Sequence, residues 1–414
     1  MKILFLVHQF YPMHYSGTEK FILNLASMFQ KLGNQVKVIT YSFYEDSFYN
    51  QSAGKILISE FTYRGIPVLA FRNRRIPEDI NLALHNSDFS KVSSELIAKE
   101  APDIVHVGHP MRVGELIKAL EPFRIPYLVT LTDFFLICPK VILFSSKNVL
   151  CAGPDGGDAC LTLCPELQNN FITNRLAFAK DVLFKAKKVI APSIFLASVF
   201  KKEFENLDLK IINHGLDFAA VKINRRNNKA GDNIVFCYAG TLAPHKGIHI
   251  LISAFKKIIS NRVSLKVYGS GPDELYINSL KAMAKGDERI ECCGTFSEHQ
   301  FGDIFSKVDA VVIPSLCYES YSMVLHEALA CNVPVIVSKA GGMAEKIRDC
   351  VNGFTFTVGD SKNLKEILEN MANNAELINT LRANIKYQVI ATTEQEAYAY
   401  EREYRKILTK RNDG

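Results

Sequence analysis

Two glutamates eight positions apart, Glu319 and Glu327, flank a stretch that changes from strand to helix. The apolar run 310–313 ends at Pro314-Ser315, which reads as a buried strand passing into a loop. Ser320 or Ser322 can cap a helix over 323–331, so Glu319 falls on the loop and Glu327 inside the helix. Asn332, at ease in the left-handed conformation, can close that helix, and a second apolar strand, 333–337, runs up to the turn Gly341-Gly342. In an open α/β sheet, ligands sit beyond the carboxyl ends of the strands, where helix N-termini point. One carboxylate and several backbone N–H groups therefore face the place of an anionic ligand, and the other carboxylate stands behind them on a helix wall.

A second cluster suits a diphosphate. Strand 234–239 is followed by Gly240-Thr241-Leu242-Ala243-Pro244-His245-Lys246-Gly247 and then by a helix over 248–259. Gly240 allows close backbone approach, the loop N–H groups donate, and Lys246 supplies a point charge. Tyr268-Gly269-Ser270-Gly271-Pro272 ends another strand in a flexible turn. Ser16-Gly17-Thr18-Glu19 opens the first helix, where Ser16 or Thr18 can cap and Gly17 leaves room for a ligand. Thr132 and Asp133 end strand 127–131, and His106 and His109 follow strand 104–107; by the carboxyl-end argument these residues look toward a ligand.

Together these stretches resemble retaining nucleotide-sugar glycosyltransferases of glycosyltransferase family 4. The match takes in the strand before Glu319, the Glu-Ala-Leu-Ala helix around Glu327, the Pro-Val-Ile-Val strand after it and the Lys246-Gly247 pair. The resemblance implies a GT-B fold, two Rossmann-like doubly wound α/β domains facing a cleft. It implies a donor site of Gly17, Gly240, Thr241, Lys246, Gly269, Gly271, Ser320, Tyr321, Ser322 and Glu327. Glu319, Lys246 and Asp133 would carry the chemistry, and His109 and Thr132 would contact sugar or acceptor. Catalysis would need no metal or cofactor. The partners would be a nucleotide-diphospho-sugar and a saccharide or lipid-linked acceptor. The chain departs from the family pattern in three places: Thr241 stands where many members have Arg, Thr132 where many have His, and Ser16 where many have a first Gly. His245, if protonated, would restore the missing cation. Other readings of the same fold are a nucleotide-sugar-binding partner without transfer activity, or a nucleotide-sugar epimerase or hydrolase.

The elements that must position these residues alternate along the whole chain. Strands 3–7, 36–41, 56–61, 68–71, 104–107, 127–131 and 189–191, with helices 19–32, 114–120 and 172–186, give a first domain over 1–217. A charged stretch, 222–232, reads as a linker. Strands 234–239, 264–268, 290–292, 310–313, 333–337 and 353–358 give a second domain over 218–393. By the resemblance, a last helix at about 394–408 crosses back onto the first domain. A chain of 414 residues is long for one core.

A net charge of +6 is mild for this size and argues against a dedicated nucleic-acid binder. The apolar runs are too short to span a membrane, and the start runs into His8-Gln9-Phe10 with no small-residue cleavage site, so a cytoplasmic protein is expected. Local basic clusters (Arg72, Arg74 and Arg75; Lys180, Lys185, Lys187 and Lys188; Lys201 and Lys202; Arg225 and Arg226) are solvated faces or a means of peripheral contact with an anionic membrane. Four of the ten cysteines, Cys138, Cys151, Cys160 and Cys164, share one Gly/Pro/Asp-rich loop. They could close on a structural Zn²⁺, remain free or oxidise, or hold an iron–sulfur cluster.

Overall fold

Fifteen strands form two sheets among the described residues, 1–385 and 389–412 of the computed structural model. In chain order they are β1 (Lys2–Val7), β2 (Gln35–Tyr41), β3 (Gln51–Ala53), β4 (Ile56–Tyr63), β5 (Ile66–Asn73), β6 (Ile104–Val107), β7 (Tyr127–Thr130), β8 (Lys188–Ala191) and β9 (Leu209–Ile211). The second sheet holds β10 (Ile234–Ala239), β11 (Val263–Tyr268), β12 (Ile290–Gly294), β13 (Ala310–Ile313), β14 (Val335–Ser338) and β15 (Gly353–Phe356). The chain divides into two units, Met1–Gly215 with Thr393–Gly414, and Leu216–Thr392.

In the first unit the sheet order is β3-β4-β5-β2-β1-β6-β7-β8-β9, parallel except where β4 pairs with β3 and β5. β1 is buried from Ile3 to Val7, as a strand covered on both faces must be. The helix Gly17–Lys31 lays Phe21 and Phe29 on it. The final helix, Thr393–Asn412, belongs to this unit. It buries Ala397, Tyr400 and Tyr404 completely, at the i, i+3, i+7 spacing of one helix face. Its Tyr404 ring stacks on Phe29, and Glu396 accepts from the Gly215 backbone N–H and bonds His214 Nδ1 at 2.9 Å. A further helix, Ser87–Glu100, which the sequence reading does not find, stacks Phe89 on Phe71.

His106 does not face a ligand. It lies within β6, fully buried, where the pleat turns its ring into the core. Its nitrogens meet the Tyr404 hydroxyl at 2.6 Å and the Thr130 hydroxyl at 2.8 Å. Burial pushes its pKa down to about 3, helped by nearby His214.

The second unit has the order β12-β11-β10-β13-β14-β15, every pair parallel. This is the 3-2-1-4-5-6 order of a doubly wound sheet, which reverses direction between β10 and β13. The charged stretch 222–232 is not a free linker. Asn224 donates to the Phe305 and Val308 carbonyls, and Asn228 donates to the fully buried Asp309. Arg382 Nη2 meets the same carboxylate at 2.6 Å. The polarity that suggests a linker in sequence goes partly to backbone carbonyls, through Asn224, and partly to one buried Asp, whose charge would be costly if left unpaired.

Candidate functional site

Each sheet reverses direction at one point, and the carboxyl ends of the strands beside it carry the candidate residues. In the second unit those strands are β10 and β13. The loop after β10 leads to Lys246, and the loop after β13 leads to Glu319. Lys246 Nζ lies 2.6 Å from Glu319 Oε1, and the Ser315 hydroxyl donates to the same oxygen at 2.7 Å. The Leu316 N–H donates to the His245 carbonyl at 2.7 Å, which locks the two loops side by side. Burial opposes the Glu319 charge, but the Lys246 ammonium and the two hydrogen bonds outweigh it and hold the carboxyl below its usual range. Burial likewise opposes the Lys246 charge, and Glu319 more than offsets it. His245 does not replace the missing cation: burial and then Lys246 push it toward the neutral form. Thr241 is exposed, and its carbonyl accepts from the buried Tyr238 hydroxyl at 2.7 Å.

Gly341 sets the height of Glu319. Its φ is +68°, and a Cβ there would stand 2.5 Å from the Glu319 carbonyl oxygen, while the next N–H, of Gly342, donates to that oxygen. Gly269 and Gly271 have a packing role of their own. A Cβ would come within 1.9 Å of the Gly240 carbonyl oxygen at the first and 2.1 Å of the Leu242 oxygen at the second. The turn is therefore pressed onto the Gly240 loop, with Leu242 N–H donating to Ser270 O, and is not simply flexible. The helix Met323–Ala330 carries Glu327, which is buried with 6% exposure. Its N-cap, Ser322, is left-handed at φ +64°, and its side chain makes no cap hydrogen bond, contrary to the capping expectation. Its carbonyl accepts from His326 Nδ1 instead, and the His326 ring stacks on Tyr321 at 3.9 Å. Asn332 takes the left-handed conformation at φ +63°.

In the first unit the sheet reverses between β1 and β6, and the residues just past their ends, His8 and His109, stack with ring centroids 4.0 Å apart. Burial, then His109, Arg112 and His14, pushes His8 well toward the neutral form. His109 is 1% exposed, and both its nitrogens are engaged. The Met111 N–H donates to Nδ1, so Nε2 carries the proton and donates to Asp133 Oδ2 at 2.8 Å. His109 thus holds Asp133 and is not presented to a sugar. Asp133 Oδ1 accepts from the Phe135 N–H at 2.8 Å, and the side chain keeps 27% exposure. Thr132 donates to the Gly108 carbonyl. Ser16 and Glu19 form a capping box, and nothing stands within 4 Å of where a Cβ of Gly17 would be.

Two family models cover these two sites in turn: Glycosyltransferase Family 4 over residues 15–220, and Glycosyl transferases group 1 over residues 221–388. The chain belongs to the GT-B glycosyltransferases. This glycosyltransferase is 29% identical to the lipopolysaccharide 1,2-N-acetylglucosaminetransferase of Salmonella typhimurium over 193 residues, 43% of this chain. The chain spans about half, 51%, of that relative's length. It is 27% identical to an uncharacterised glycosyltransferase of Methanocaldococcus jannaschii over 72% of this chain and 73% of the relative. Its fold matches Anabaena HepE, solved with UDP and glucose, at a TM-score of 0.71 and 21% identity, over 97% of this chain and 99% of that one.

The four cysteines of the glycosyltransferase's loop 138–164, which follows Asp133 in the chain, line one apolar cavity. Burial pushes the Cys160 thiol up to about 12, with Cys138, Cys151 and Cys164 around it adding to the shift. Several cations of the basic clusters are already committed: Arg72 is buried and bonded to Asp46, and Lys188 pairs with Asp208 at 2.7 Å. No helix among the described residues is long and apolar enough to cross a membrane. The sequence reading overlooks Ser315, His8 and Arg112, whose guanidinium donates to the His8 carbonyl at 3.0 Å. The position of His8 directly after β1 is the signal that would have found it.

Proposed function

We propose that this glycosyltransferase moves a sugar from a nucleoside-diphosphate sugar to an acceptor hydroxyl, with retention at the anomeric carbon, in the synthesis of a surface polysaccharide or glycolipid. The observation that carries the proposal is the Lys246–Glu319 pair at the reversal point of the second sheet. The bond from the anomeric carbon to the diphosphate breaks, so negative charge grows on the leaving oxygen and positive charge on the sugar ring. Lys246 and the N–H groups of the Gly240–Thr241 loop answer the first charge without a metal, and Glu319 answers the second. The acceptor oxygen bonds to the anomeric carbon on the face the diphosphate leaves, and the acceptor proton passes to the departing phosphate oxygen. Glu327 accepts from the ribose hydroxyls, the backbone N–H groups of Ser320, Tyr321 and Ser322 hold sugar and phosphate, and Gly269 and Gly271 shape the nucleotide wall. Asp133, oriented by His109, contacts the acceptor, with Gly17 and Thr132 nearby in its own unit. The exposed Lys180, Lys187, Lys201 and Lys202 supply peripheral contact with an anionic leaflet, where a lipid-linked acceptor would wait. The Salmonella relative, named for its action on lipopolysaccharide, and HepE, solved with UDP and glucose, support this reading.

The test is a thermal-shift panel of UDP, GDP, ADP, CMP and dTDP, with Mg²⁺ or with EDTA, on the wild type and Glu327→Ala. One nucleoside diphosphate should raise the melting temperature without metal, and the variant should lose the shift. The matching sugar nucleotide is then supplied with candidate acceptors, and NMR of the product reads the anomer. Binding without turnover on any acceptor would identify a donor-binding partner protein, and an inverted anomer would reject the retaining mechanism.

A further inference from the structure

Cys138, Cys151, Cys160 and Cys164 leave the backbone at separate places and meet at one cavity of about 20 Å³. Cys138 ends the turn after Phe134, and Cys151 follows the isolated bridge between Phe144 and Leu150. Cys160 sits in the short helix Asp158–Leu163, and Cys164 caps that helix, its N–H donating to the Cys160 carbonyl. Cys151 and Cys160 are buried, Cys138 and Cys164 half-buried, and none is in a disulfide. The other walls are apolar, chiefly Ile137, Leu143, Leu163 and Leu167.

The segment that carries the thiols has little else to hold it. Between β7 and the helix Asn169–Lys185 the described structure is a three-residue turn, one short helix and one isolated bridge. Val141, Leu143, Asn148 and Asp155 all take positive φ, which costs conformational energy at each non-glycine residue. Among the described residues no three His, Cys, Asp or Glu side chains already stand as a metal-holding set. Closure therefore requires the thiols to rotate about χ1 into the cavity they share. The cavity is of the size of one water and admits one ion.

We propose that Cys138, Cys151, Cys160 and Cys164 bind one Zn²⁺ as a closed tetrathiolate site that fixes segment 138–164. Four S–H protons pass to solvent and four Zn–S bonds of about 2.3 Å form, with no change of oxidation state. All four positions are taken by protein, so the ion is structural and stands outside the transfer chemistry.

The full chain is expressed with zinc, desalted without chelator and analysed for metal. About one zinc per chain is expected, and Co²⁺ in its place should give thiolate charge-transfer and tetrahedral d–d bands. Cys138→Ser and Cys164→Ser should each lower bound metal about tenfold or more, whereas Cys292→Ser and Cys350→Ser, at exposed positions, should not. Because the first two variants can fail to fold, a second arm uses the wild type. Stripping the metal with a strong chelator should open residues 138–167 to protease while the second unit survives, and added zinc should restore protection. Metal-free protein with all ten thiols titratable after denaturation would overturn the proposal. So would a disulfide among the four, or an iron–sulfur chromophore.

Discussion

The two sheets place their candidate residues at the same topological point and furnish it in opposite ways. At the reversal point of the second unit the side chains are charged: the Glu319 carboxyl is held below its usual range and Lys246 above its own, each mainly by the other working against burial. At the reversal point of the first unit burial works against positive charge. His8 is pushed toward the neutral form, and burial pushes the Arg112 guanidinium down to about 10, which leaves it charged at neutral pH. The carboxylate there, Asp133, is partly exposed and held by two donors. The topology fixes where a ligand can meet backbone and side chains, and the residues fix which part of a reaction that place can serve. A charge pair suits a bond that breaks heterolytically, and a carboxylate fixed by two hydrogen-bond donors suits the orientation of a hydroxyl.

The strongest way to break this contrast is to neutralise the charged side. Glu319→Gln and Lys246→Ala should each reduce transfer by about 10²–10³. Each leaves the partner without its counter-charge, and because both groups keep some solvent contact the stability loss should stay at about 1–3 kcal/mol. Steady-state kinetics alongside thermal melts separates the two effects. Loss of turnover that tracks loss of folded protein would remove the chemical role. On the other side, Asp133→Asn should cost about 10² in turnover by misplacing the acceptor while leaving nucleotide binding intact. A weakened nucleoside-diphosphate shift in that variant would show that Asp133 serves the donor instead.

Acid should distinguish the units before any mutation does. His106 titrates at about 3 in the folded chain against an ordinary 6.5, so the unfolded state takes up the proton first. Its contribution is full above pH 6.5 and is lost as pH falls toward 3, at about 1.4 kcal/mol per unit. His8 acts in the same direction. The Glu319 contribution is full above 4.5 and is lost only below it, as pH falls through the depressed folded value. His245 and His249 add a smaller neutral-histidine effect to the second unit. Hydrogen exchange resolved by peptide should therefore show β1, β6 and the final helix losing protection between pH 6 and 4.5, ahead of β10 and β13. Simultaneous loss would mean that the two units unfold as one.

The strands of both sheets and the loops bearing Lys246 and Glu319 are legible in the sequence, because buried parallel strands write themselves as short apolar runs ending in Gly, Pro or Ser. The pairing of those two residues is not legible, since it spans 73 positions and depends on the order of β10 and β13. His106 misleads because one step of pleat decides between core and loop. The helix Ser87–Glu100 is hidden by its serines, which weaken the apolar stripe of Phe89, Val92 and Leu96. The linker reading fails for a related reason: polar composition cannot show that Asn224 and Asn228 face a buried partner.

The finest test of the contrast is Ser315→Ala. Ser315 is 1% exposed and its hydroxyl donates to Glu319 Oε1, while its carbonyl accepts from Ser338 at 2.6 Å, so the backbone is held whatever the side chain. Removing the hydroxyl takes away one of the bonds that favour the carboxylate and leaves Lys246 in place. The cost should be about 1 kcal/mol in stability, and the Glu319 carboxyl should rise toward its ordinary range. The acid limb of the turnover profile should then move up in pH with the plateau reduced only a few-fold. If the plateau instead falls as far as in Glu319→Gln, the hydroxyl itself touches the sugar. The charged half of the site would then be a triad of Ser315, Glu319 and Lys246, not a pair with a prop.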